Sequence, residues 1–272
     1  MLIKVSDEKT LYMWSIFLVA TALGWFVGWL LPPGFLVCNS RVIIFAALSA
    51  VFFTGYHLAA AKAYASEDGD LSLSYPLTTL APVFISFWAY MLLGDTFTVK
   101  VIAGILLTVA GAFCIQLKPS QRRFSLNNIG FKSVAVRFAL LASFLYSFGA
   151  IADKIGVNVT NFYIFSICLT SMVSLCFTGV VISNGRLRNL TLHCFKNHPF
   201  HVFIGGFVLF LSHISYRYAL ETTQVSYASA VRQIATLFAV LMGIILLKES
   251  YGPLRFFASV MITVGIVLIK WG

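Results

Sequence analysis

The residues with most chemistry to offer are cations and imidazoles set inside apolar runs. Arg232 lies about eight residues into the run 224–247, which is roughly 12 Å along a helix at 1.5 Å per residue. That depth is near the middle of a hydrocarbon core about 30 Å thick, where a charge costs about 2.5–3.5 kcal/mol on insertion scales. Such a cation needs a partner. It is either structural, meaning backbone carbonyls or a neighbouring helix, or functional, an anchor for a bound solute with Gln233 alongside. His213, Arg217 and Glu221 recur at i, i+4 and i+8, a spacing that puts them on one helix face. Arg217 and Glu221 can pair, and because Glu221 ends its run, the plain reading is an interfacial ion pair. His57 and Lys62 hold the corresponding part of the second run. Lys62 is close to the cytoplasmic end and can snorkel. His57 is deeper, and is either satisfied by a helix neighbour or turned toward a solute. Asp153 and Lys154 close the fifth run. Adjacent residues do not face each other on a helix, so both read as interfacial anchors, with proton coupling as the other role open to Asp153.

A second group surrounds two prolines. Pro76 and Pro82 fall within the run 71–93. Each removes a backbone donor and crowds the carbonyl four residues earlier, so a bent helix is expected. In lipid the freed carbonyls need partners, which turns such a helix toward the protein interior or a wet cavity. A packing kink is the alternative. Trp88 lies one or two turns beyond Pro82, and with Tyr75 it offers either rings to a cavity or ordinary packing. Trp14, Trp25, Trp29 and Trp271 lie near the ends of runs instead, as an interfacial belt requires.

These groups are positioned by a chain of 272 residues, 60% hydrophobic and only 10% charged. An average soluble domain carries roughly 25% charged residues. So little charge cannot cover a water-soluble particle of this size, which excludes a soluble enzyme, a disordered tail and a nucleic-acid-binding domain. A polytopic all-α membrane protein remains. A crossing helix needs about 20 mainly apolar residues, and runs near 11–31, 41–65, 71–93, 98–117, 133–152, 161–183, 200–220, 224–247 and 253–271 qualify.

The net charge of +10 reads as positive charge gathered on cytoplasmic loops. With the N-terminus inside, Lys4, Lys9, Lys118, Arg122, Arg123, Lys132, Arg186, Arg188, Lys196, Lys248 and Arg255 fall on the cytoplasmic side. Only Arg41, Lys100, Lys154 and Lys270 fall outside. The expected topology is N-terminus in, C-terminus out. The first run is read as a retained helix rather than a signal peptide. Five cysteines (Cys38, Cys114, Cys168, Cys176 and Cys194) form no C-x-x-C pair and read as small packing residues. There is no phosphate loop, no HExxH, no nucleophile elbow and no metal cluster, so neither enzyme chemistry nor a cofactor is expected.

The chain also reads as two related halves. Residues 72–116 lie on 226–270 without gaps: Ser72 on Ser226, Ala81 on Ala235, Leu92 and Leu93 on Leu246 and Leu247, Asp95 on Glu249, Gly111 on Gly265. The expected domains are a first repeat of four helices at 1–117, a basic cytoplasmic linker at 118–132, and a second repeat of five helices at 133–272. The first repeat is one helix short of a five-plus-five plan. Internal repeats of this kind mark transporters that alternate between two access states.

The segments GDLSLSYPLTTLAP (69–82), LLGD (92–95) and SYASAVRQIATLFAVLMGIILLKES (226–250) resemble the repeat blocks of EamA-type members of the drug/metabolite transporter superfamily. The resemblance implies ten helices in two inverted repeats, multi-pass insertion in the cell inner membrane, and movement of a small solute. Here the family's first helix, expected before residue 11, is absent; a homodimer is one arrangement in which a second copy supplies it. Thr79 stands where the family's first block often carries arginine. The site expected from residues and resemblance together comprises Arg232, Gln233, Tyr75, Thr79, Trp88, His57, His213 and Arg217. Its cation excess suits an anionic or zwitterionic substrate. Asp95 and Glu249 are read as structural caps of the following helices. A flippase for lipid-linked substrates, a non-transporting scaffold and a membrane-embedded enzyme are the competing readings.

Overall fold

The computed structural model describes residues 9–32, 36, 38–67, 70–78, 80–88, 98–115, 133–190, 193–222, 225–248 and 252–271. The side chains of 71–73, 86, 113, 193–194, 225–234 and 270 fall outside that description. Among the described residues the regular elements are all α-helices: α1 Lys9–Trp29, α2 Ser40–Ala65, α3 Leu71–Thr78, α4 Ala81–Trp88, α5 Val99–Cys114, α6 Val134–Val159, α7 Phe162–Ser183, the short α8 Gly185–Asn189 and α9 His193–Asn197, then α10 Pro199–Thr222, α11 Val225–Ile245 and α12 Gly252–Trp271. Six of them (α1, α2, α6, α7, α10 and α12) are long and apolar enough to cross a bilayer. Four helix starts are marked by side chains that take orphan backbone N–H groups. Asn39 Oδ1 accepts from Val42 N at 2.9 Å, and Asn161 Oδ1 from Ile164 N at 2.9 Å. Ser133 and Thr98 do the same for α6 and α5.

The third apolar run departs from expectation. It is not one bent helix: among the described residues it is interrupted at Leu80, between α3 and α4. Pro76 lies inside α3 and has no N–H for the Ser72 carbonyl. Pro82 has none for Thr78, which is where α3 stops. As the second residue of α4, Pro82 occupies a first-turn position whose N–H needs no helical partner. The same residue thus ends one helix and starts the next.

The described chain forms two compact units, with the division falling inside α2 and α6. The first unit comprises residues 58–147 with 225–272. Its core gathers Ala63, Leu77, Leu80, Ile115, Ala139, Ala258, Ile262 and Ile266. Here α5 packs closely along α12, and α3 packs on α11. A Cβ placed on Gly104 would lie 2.6 Å from the Gly265 carbonyl oxygen, and one on Gly265 would lie 2.7 Å from that of Gly104. Gly111 meets Ala258 and Ile262, so contacts ascend α5 as they descend α12, and the two helices run antiparallel. Arg255, which the sequence places among exposed loop cations, is instead buried. Its Nη1 donates to Asp70 Oδ2 at 2.7 Å.

The second unit comprises residues 2–57 with 148–224. Its α1 packs on α7 and α10. Tyr163 Oη donates to the Gly24 carbonyl at 2.7 Å, the Thr21 and Ser174 hydroxyls are 2.9 Å apart, and Trp14 Nε1 donates to Thr178 Oγ1 at 3.0 Å. These contacts also run antiparallel. Counted back from the end of each half, α5 matches α12, α3 and α4 match α11, and α1 matches α7. Of these, α5 and α12 pack antiparallel, as do α1 and α7, and α3 packs on α11.

Apolar side chains cover the outside as well. Phe203, Phe207, Val208 and Leu211 of α10 are exposed, as are Leu106 of α5 and Phe257 of α12. A surface this apolar suits acyl chains rather than water. The chain is an all-α multi-pass membrane protein.

Candidate functional site

The candidate residues divide between the two units. In the first, Tyr75 lies half-buried on α3, and its carbonyl accepts from Thr78 Oγ1 at 2.7 Å. One residue earlier, Ser74 is fully buried, and its hydroxyl has no hydrogen-bond partner among the described residues. A buried hydroxyl without a partner costs about 1–3 kcal/mol, so this position carries a polar demand that the described residues do not meet. The break between α3 and α4 follows directly. Thr79 lies outside the described residues. Arg232 and Gln233 are on α11, the helix against which α3 packs; their side chains lie outside the described residues, as do Asp95 and Glu249.

Trp88 is held by neighbours within the same unit. Its Nε1 donates to Ser147 Oγ at 3.2 Å, and Ser147 in turn donates to the Phe144 carbonyl. Phe84 meets the Phe144 ring edge-on at 5.4 Å between centroids, and Trp88 lies 6.2 Å from it. This is an aromatic packing cluster with one polar tether. Lys62 is exposed near the end of α2, with its ammonium 5.2 Å from the centre of the Phe138 ring, in keeping with a snorkelling lysine.

In the second unit, His57, His213 and Arg217 are brought together. The ring of Phe17, fully buried, lies 5.0 Å from the His57 imidazole and 5.8 Å from that of His213. Phe177 stacks on Phe17 at 5.7 Å. Two polar atoms in this region, His213 Nδ1 and Thr54 Oγ1, are buried without a partner among the described residues. Thr54 is three residues before His57 on α2, which puts the two on one face.

Arg217 does not pair with Glu221. Its Nε and Nη2 donate to Asp153 Oδ1 and Oδ2 at 2.9 and 3.2 Å, its Nη1 to the His213 carbonyl at 3.3 Å, and its guanidinium lies 5.8 Å from the centre of the Phe165 ring. Glu221 instead accepts from the Phe162 backbone N–H at 3.4 Å. Asp153 is correspondingly buried, while Lys154 beside it is exposed. The bidentate geometry explains the preference: two parallel N–H···O bonds away from water are stronger than one loose pair at a helix end. Asp153, which the sequence places as an interfacial anchor, is buried in this pair, and Ser74 is the residue that sequence reasoning passed over. The clue to Asp153 was its order: Asp153 and Lys154 must point to different sides of α6, so one of them has to turn inward.

The solved structures and family models agree with this architecture. The crystal structure of another protein matches with a TM-score of 0.61 at 14% identity, over 98% of this chain and 88% of that one; the likeness is one of fold. No curated protein matches. The model of the EamA-like transporter family matches residues 133–271, from the start of α6 through the end of α12, more than half of the sequence. The chain belongs to the EamA-like transporter family.

Proposed function

We propose that this chain is a secondary transporter, not an enzyme, that moves a small polar organic solute across the cell inner membrane by alternating access. The observation that carries the reading is the break between α3 and α4, with the buried Ser74 hydroxyl, unpartnered among the described residues, one turn before it. Discontinuous helices expose backbone groups at membrane depth, and transporters place their solutes at such points. The broken segment packs on α11, the helix of Arg232 and Gln233. In this reading Tyr75, Ser74, Arg232 and Gln233 are the residues that take the solute. A guanidinium there favours an anionic or zwitterionic solute, since a carboxylate or phosphate takes two of its N–H groups at once. Uptake into proteoliposomes across a panel of amino acids, nucleosides and sugar phosphates tests the reading. Accumulation of an anionic or zwitterionic member, lost in Arg232→Gln while the variant stays folded in the membrane, supports it. Undiminished transport by Arg232→Gln removes that residue from the site.

A further inference from the structure

We propose that Cys38 and Cys168, whose sulfurs lie 3.7 Å apart, are a disulfide-forming pair on the outer side of the membrane, fastening the start of α2 to α7. The two residues are 130 positions apart in sequence and belong to the same unit. Cys38 is exposed and immediately precedes Asn39, whose side chain and carbonyl fix the first turn of α2. Cys168 is buried on α7, about two turns beyond its Asn161 cap. One sulfur is therefore open to reagents, and the other waits behind it on a rigid helix. Closing the bond requires the sulfurs to approach by about 1.7 Å. A rotation about χ1 of Cys38, which lies outside any helix, provides such movement.

The compartment fits. The charge bias of the loops puts the N-terminus inside, so the α1–α2 connection and the start of α7 face outward. There a disulfide is stable, whereas cytosolic thiols are kept reduced. The chemistry is a thiol–disulfide exchange with an external disulfide, either oxidised glutathione or the active-site disulfide of an oxidoreductase. The Cys38 thiolate attacks a sulfur of that disulfide and releases one external thiol. The Cys168 thiolate then attacks Cys38 Sγ and releases the second. The external disulfide gains the electron pair and both protons, and the chain loses two thiols. This proposal is independent of the solute and of the transport reading.

The test counts thiols. Cells expressing the full chain are quenched in excess N-ethylmaleimide under denaturing conditions, which blocks every free cysteine. The protein is then reduced and labelled with a polyethylene-glycol maleimide that adds one gel-mobility step per newly released thiol. The expected result is two steps for the natural chain, none for Cys38→Ser or Cys168→Ser, and two for the control Cys176→Ser. No steps in the natural chain, or two steps persisting in Cys38→Ser, overturns the pairing. Both serine changes are nearly isosteric, and the count on denatured protein reaches every cysteine; size-exclusion fluorescence of each variant in detergent confirms that it is folded.

Discussion

Asp153 and Arg217, 64 residues apart in sequence, share two charge-assisted hydrogen bonds of 2.9 and 3.2 Å, with both side chains almost wholly shielded. This bidentate contact ties α6 to α10 within one unit, and it leaves His213 one turn below with its Nδ1 unmatched among the described residues. A buried pair of this kind is expensive to break from one side, because the remaining charge has no compensation.

Removal of one partner should therefore cost more than removal of both. Asp153→Ala strands the guanidinium and should lower stability by about 3–5 kcal/mol. The double change Asp153→Leu with Arg217→Met replaces the pair by apolar volume and should recover much of the loss. Thermal unfolding in detergent, followed by size-exclusion fluorescence, checks both. Equal losses in the single and double variants would show that the two side chains act separately.

The close approach of α5 and α12 gives a second prediction. Gly104 and Gly265 leave no room for a Cβ against the facing backbone. Gly265→Val should force α5 and α12 apart at a cost of about 1–3 kcal/mol. Gly179, whose added Cβ would meet nothing, should accept alanine without penalty. The same unfolding assay compares them, and a neutral Gly265→Val would mean that the helices separate easily.

Ser74 separates structural from functional roles. Its hydroxyl is buried and unmatched among the described residues, so Ser74→Ala removes a desolvated group and should leave stability unchanged or slightly raised. If the hydroxyl serves the solute, uptake of a transported compound should fall several-fold with the melting temperature intact. Unchanged uptake would take Ser74 out of the binding face.

Topology is checked directly by reporter fusions. A cytoplasm-active reporter at the N-terminus and an exterior-active one at the C-terminus should both be functional, since loop cations favour the cytoplasmic side. Both termini on one side would contradict the nine-span arrangement, and an N-terminus on the exterior would overturn the outer placement of Cys38.

Composition and periodicity already determined the membrane class and the positions of most of the apolar helices. These depend on local hydrophobicity and on a period that each stretch carries by itself. The prolines announced a distortion at 76–82, but not that it would be a break, because the choice depends on what the freed carbonyls meet. Partner choice was likewise hidden. Arg217 could reach Glu221 along its own helix, and only the tertiary arrangement brought Asp153 of α6 within its reach in a bidentate orientation. Cys38 and Cys168 looked like separate packing residues until the fold placed their sulfurs together. Long-range pairing is set by where helices cross, and a crossing depends on the shapes of both surfaces at once, which neither segment encodes alone.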